Sequence, residues 1–99
     1  METREEILEF LKANREFLKQ QFHVIKIGLF GSFARSEQTS KSDIDLIIEM
    51  DADPIDVHRL KNDMREFISK QCNRTVDLAR EKYLRPYSKK QILKEAIFV

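Results

Sequence analysis

Two aspartates, Asp43 and Asp45, stand one residue apart at the start of an apolar run, and ten residues separate Asp43 from Ser32 of a small-residue turn, Gly31-Ser32-Phe33-Ala34-Arg35. Side chains on a β-strand alternate faces, so two carboxylates at i and i+2 point the same way. They repel each other unless a cation lies between them. Magnesium takes oxygen ligands, usually only one or two of them protein carboxylates, with water and phosphate filling the rest of its octahedron. Gly31 lets a backbone approach a ligand closely. Ser32 adds a hydroxyl, and a helical turn after it aims free N–H groups at an anion. Turn and carboxylates together suit the handling of a nucleoside triphosphate with a divalent metal.

Neither half carries that reading alone. Gly-Ser is common in plain strand-to-helix turns, and Asp51-Ala52-Asp53 repeats the carboxylate spacing without an apolar alternation and runs into Pro54, as a turn with a helix cap does. A third acidic residue, Asp77, lies between Val76 and Leu78 in a short β-prone segment. An unpaired charge is expensive there. Asp77 either completes a cluster with Asp43 and Asp45, as a metal ligand that helps take up a proton, or pairs with Arg74 or Arg80 at a strand end.

The elements that must position these residues follow from hydrophobic periodicity. Thr3 with Glu6 is a capping box, and Ile7, Phe10, Leu11, Phe17 and Leu18 predict one amphipathic helix from about Thr3 to about Gln20. Val24 to Phe30 reads as a first strand, Ser32 to Glu37 as a turn or two of helix with Ser32 near its N-cap, and Asp43 to Glu49 as a second strand. On that strand Ile44, Leu46 and Ile48 share one face, with Asp43, Asp45, Ile47 and Glu49 on the other. Asp53-Pro54 starts a long helix with Ile55, Leu60, Met64, Phe67 and Ile68 inward. Thr75 to Ala79 is a third strand. Pro86 interrupts the chain, Ser88 with Gln91 forms a second capping box, and Ile92, Leu93, Ala96 and Ile97 line a last short helix. The expected fold is α+β in the order α-β-α-β-α-β-α. A small mixed β-sheet has a parallel crossover between its second and third strands, and helices pack mainly on one face.

Ninety-nine residues form a single domain, 1–99. With 18 basic and 17 acidic residues the formal charge is +1, which counts against direct nucleic-acid binding, although Arg80, Lys82, Arg85, Lys89 and Lys90 form a local basic run. Cys72 is the single cysteine and fits a reducing cytoplasm. No apolar run reaches membrane-span length. His23 and His58 have no partners at zinc-ligand spacing. Phe98-Val99 and the seven phenylalanines leave two options: an apolar patch for a partner or a second copy, or a tail docked on its own core.

The Gly-Ser turn, the ten-residue gap and the Asp-x-Asp strand resemble the signature of the DNA polymerase beta-like nucleotidyltransferase superfamily. The wording Gly31-Ser32-Phe33-Ala34-Arg35 and the small size look like its minimal nucleotidyltransferase (MNT) antitoxin group. Arg74 to Ala79 and the tail Ile92 to Val99 extend the likeness over most of the chain from about Ile25. One departure is Ser36, where many members have glycine; a side chain there stiffens or reshapes the turn.

The resemblance implies a nucleotidyltransferase fold. It also implies an enzyme that transfers a nucleoside monophosphate, AMP from ATP foremost, to a hydroxyl of a partner protein. Gly31 and Ser32 would hold the β- and γ-phosphates, and Arg35 would contact phosphate. Asp43, Asp45 and Asp77 would bind a pair of Mg2+ ions and carry the catalysis. The partner implied is a HEPN-type ribonuclease toxin, silenced by modification of a tyrosine. The alternative is an antitoxin or adaptor that acts by complex formation alone.

Overall fold

The computed structural model describes residues 1–51 and 56–99. The proposed helix start at Asp53-Pro54 and the inward position of Ile55 lie outside the described residues. Helices α1 (Arg4–Ala13) and α2 (Arg15–Phe22) lead into β1 (Val24–Phe30), the short α3 (Gly31–Ala34) and β2 (Ile44–Met50). Then come α4 (Val57–Cys72), β3 (Val76–Arg80), a 3-10 turn (Glu81–Tyr83), α5 (Pro86–Glu95) and β4 (Ile97–Phe98). The four strands form one sheet in the order β3-β2-β1-β4. β1 runs antiparallel to β2 and β4, and β2 runs parallel to β3. The α+β class, the mixed sheet and the parallel pairing across α4 agree with the sequence reading.

One face of the sheet buries Ile27, Leu29, Ile44, Leu46, Ile48, Val76 and Leu78 against Ile7 and Leu11 of α1, Leu18 of α2, and Met64, Ile68 and Cys72 of α4. Period-two burial on the strands and the helical stripe of α4 thus meet in one core. Phe10, Phe17 and Phe22 gather around Phe67 at its edge, with the Phe17 and Phe67 rings 4.9 Å apart. These aromatics pack on one another, with Phe17 still 42% exposed.

Four local expectations change. The first helix is two: Asn14 ends α1 by donating both its backbone N–H and its Nδ2 to Phe10 O, the side-chain competition that makes asparagine a poor helix-interior residue. The Thr3–Glu6 capping box is present as expected. Ser32 is not an N-cap: Phe30 occupies that position, and Ser32 is inside α3. Asp43 precedes β2, which runs one residue later than expected, to Met50. Pro86 starts α5 instead of interrupting the chain, so Ser88 and Gln91 fall within the helix; proline suits a first turn whose N–H has no helical partner.

The tail docks on the sheet. Ile97 and Phe98 pair with Leu29 and Gly28, and Val99 N–H donates to Ile27 O at 3.1 Å. A helical pattern through Ile97 is broken because the edge of β1 offers its backbone a better partner. Gly28 makes room for the Phe98 ring: a Cβ there would come within 2.7 Å of Phe98 Cδ1 and 3.2 Å of Ile47 Cγ2. Gly28→Val is therefore expected to lower the unfolding free energy in urea by about 1–3 kcal/mol through overpacking. In a Phe98→Ala background the loss should be smaller, because the ring is the main obstacle.

Candidate active site

The parallel pairing of β2 with β3 sets the site. Ile44 lies opposite Val76, Asp45 opposite Asp77, and Leu46 opposite Leu78. In-register neighbours share a face, so the same alternation that buries the apolar pairs turns Asp45 and Asp77 together to the other side, on strands about 4.8 Å apart. Asp77 is exposed and Asp45 is half-buried. Burial raises the Asp45 carboxyl above its ordinary pKa, and the charges of Asp77 and Asp43 push it further in the same direction.

Asp43 reaches this group from the loop before β2, not from the strand itself. That loop is held by Arg74, whose side chain is only 7% exposed. Its Nη1 donates to Thr39 O at 3.1 Å and Ser42 O at 2.8 Å, its Nε to Met1 O at 2.8 Å, and its Nη2 pairs with Glu2 at 3.0 Å. The guanidinium also lies 4.8 Å from the centre of the Phe33 ring in α3. Arg74 is therefore committed to the chain terminus and the Asp43 loop, not to Asp77. Arg80 is buried and pairs with Glu49 at 3.2 Å.

Gly31 is required at the turn for two reasons. Its φ is +75°, a region that L side chains avoid, and a Cβ would overlap Asp45 Oδ2. The turn and the carboxylate strand are thus in direct contact, which the sequence alone does not state. Ser32 is half-buried in the first turn of α3. Arg35 follows α3 and is exposed; Glu37 and then Glu95 hold its guanidinium firmly charged. Ser36 has φ +57°, so this position carries the backbone conformation for which glycine is suited.

One residue near the turn escaped the sequence reading. Glu95, at the end of α5, accepts from Gly31 N–H at 3.0 Å and from Arg35 Nη1 at 2.8 Å. It is 64 residues from Gly31 in the chain, and no spacing signal links them.

Among the described residues, no three His, Cys, Asp or Glu side chains are gathered tightly enough to form a metal cage. Asp43, Asp45 and Asp77 are close enough to feel one another's charge, and magnesium asks the protein for only one or two carboxylates. An all-oxygen, mutually repelling donor set fits a hard divalent cation. A depression of about 320 Å³ bounded by Arg65, Glu66, Ser69, Lys70, Thr75 and Val76 includes none of the three carboxylates. With Asp43 and Asp77 exposed, the carboxylates face an open surface.

A family model described as a nucleotidyltransferase domain matches residues 9–99. A Methanocaldococcus jannaschii protein named "putative protein adenylyltransferase" is 38% identical over 100 residues, covering 100% of both chains. Protein adenylyltransferase MntA of Thermococcus cleftensis is 30% identical over 99 residues, covering 100% of this chain and 98% of its own. A solved structure described as a "putative minimal nucleotidyltransferase" superposes with a TM-score of 0.73 at 29% identity, over 91% of this chain and 93% of the other.

Three outcomes follow from the site's geometry. Folding makes the Asp45 carboxyl easier to protonate, so its contribution to stability declines as pH rises from the ordinary carboxylate range through the raised value, and the cost is complete above it. Asp45→Asn should accordingly raise the thermal midpoint at pH 7 by a few degrees, with the difference vanishing below about pH 4. Adding a divalent cation should raise the wild-type midpoint more than that of Asp45→Asn. Ser36→Gly should stabilise by about 0.5–1 kcal/mol in denaturant titration, the left-handed strain relieved less the extra freedom of glycine in the unfolded chain.

Proposed function

Starting from the fact that this chain belongs to the nucleotidyltransferase domain family, we propose that it transfers AMP from ATP to a hydroxyl of a partner protein, with Mg2+ as the metal. The observation that carries this reading is the juxtaposition of Asp45 and Asp77 in register, with Gly31 packed against Asp45. Full-length relatives named as protein adenylyltransferases support the donor and the class of acceptor.

In this reading Asp43, Asp45 and Asp77 hold the metal. When bound, it would neutralise charge on the triphosphate and on the departing pyrophosphate. Gly31 and Ser32 hold the β- and γ-phosphates through backbone N–H and hydroxyl, and Arg35 adds a guanidinium. The acceptor oxygen attacks the α-phosphorus, the bond to the pyrophosphate oxygen breaks, and the hydroxyl proton passes to the carboxylate of Asp77. The exposed position of Asp77 leaves it open to an acceptor brought by another molecule. With Asp43 and Asp77 both exposed, the partner supplies much of the acceptor site.

The partner proposed is a HEPN-type ribonuclease toxin in the cytoplasm, modified on a tyrosine. A solved structure described as a toxin–antitoxin with AMP-PNP shares the fold at a TM-score of 0.68 and 18% identity. No helix among the described residues is long and apolar enough to cross a membrane. A second mode, neutralisation by complex formation alone, draws on Tyr83 and Tyr87, which are 69% and 78% exposed. Large aromatics left in solvent are good anchors for a protein interface.

Incubation with α-labelled ATP, Mg2+ and the product of the adjacent gene is expected to label that product. The Asp43→Asn, Asp45→Asn double variant should lose roughly 100-fold or more of the rate, since it removes the charge that balances the metal. Equal labelling by the double variant would overturn the catalytic reading. Full neutralisation of the partner by that variant without nucleotide would favour complex formation.

A further inference from the structure

We propose that Glu95 is a resident anion on the phosphate turn, which an incoming triphosphate must displace. The inference rests on the reading of Gly31, Ser32 and Arg35 as the triphosphate site. Both carboxylate oxygens of Glu95 are engaged: Oε1 accepts from Gly31 N–H at 3.0 Å and Oε2 from Arg35 Nη1 at 2.8 Å. A carboxylate on a backbone N–H and a guanidinium reproduces the contacts that a phosphate oxygen makes there. Two of the three groups assigned to phosphate are therefore already occupied.

The occupant also works against the metal-binding carboxylates. Glu95 adds its negative charge to Asp77 and Asp43 around Asp45, and Arg35 is the cation that opposes them. Release from Glu95 would leave Arg35 paired through Nε with Glu37 and free its Nη1 to donate to the triphosphate. Displacement needs no rebuilding of the tail. Ala96 N–H remains bonded to Ile92 O, while Ile97 and Phe98 are paired to β1. The Glu95 side chain is 27% exposed and has three rotatable bonds through which its carboxylate can swing into water. None of the residues of α5 is fully buried, so the helix offers little packing resistance. The occupied turn lowers apparent nucleotide affinity by the fraction of molecules in which it is free.

The test is calorimetric titration of the full chain with inorganic triphosphate and with ATP, each with and without Mg2+. Wild type is compared with Glu95→Ala, Glu95→Gln and Ser32→Ala, and folding of each is checked by thermal unfolding. Glu95→Ala is expected to bind about fivefold to tenfold more tightly than wild type. Glu95→Gln should fall between them, because it keeps an acceptor for Gly31 but loses one of the two carboxylate charges on Arg35. Weaker or equal binding by both Glu95 variants overturns the proposal and makes Glu95 a brace of the turn. Absence of binding in wild type and both variants overturns it as well. If Ser32→Ala binds triphosphate as wild type does, the phosphate-turn reading itself fails. If Ser32→Ala binds more weakly while Glu95→Ala gains nothing, the displacement alone fails.

Discussion

Asp45 and Asp77 lie side by side because β2 and β3 are parallel and in register. Most of what is unusual about the molecule follows from that pairing. The apolar residues on either side of each aspartate bury themselves in the helix-covered core, and the alternation of the strand then leaves the carboxylates no other place to go. The core and the site are therefore set by one register. A slip of one residue would put the charges into the apolar layer, so hydrophobic burial enforces the pairing of the two aspartates. Partial burial raises the Asp45 carboxyl above its ordinary pKa, and the charges of Asp77 and Asp43 push it the same way.

Two other contacts complete the arrangement. Gly31 carries a positive φ and presses its backbone against Asp45, which ties the glycine-serine turn to the carboxylate strand without an intervening side chain. Arg74 ties the loop before Asp43 to the chain's first residues and to Phe33. It is a buried charge whose donors are met largely by carbonyl oxygens, an arrangement that offsets its desolvation. Removal of such a residue would disturb the approach to Asp43 without touching any reacting group. Glu95 adds a third link, from the end of α5 to the turn.

Much of this was legible along the chain. Val24 to Phe30 appears as a strand because its residues are β-branched or large and apolar and end at glycine, and those bounds are the ones observed. Asp77 was readable as outward because Val76 and Leu78 flank it, and their burial bears this out. Reading failed where a capping side chain or a tertiary partner competes with the helical pattern. The apolar spacing of Ile7 to Leu18 runs on across Asn14, but its side chain caps the preceding turn. Ile97 fits a helical stripe, yet the open edge of β1 takes it into the sheet. Ser36 could be noted as a departure, but the φ that explains why glycine suits the position is a fact of the folded turn.

By itself the sequence determined which residue types could handle a triphosphate: a glycine-serine turn, two aspartates at strand spacing and a third in another strand. These are local matters of side-chain chemistry and period-two alternation. Only the tertiary structure decided that Asp45 faces Asp77, that Gly31 must be glycine because Asp45 lies against it, and that Glu95 sits on the turn. Each of those joins segments far apart in the chain. Their meeting depends on strand register and on the docking of α5 and β4, which are set by burial of the whole core and not by any local spacing.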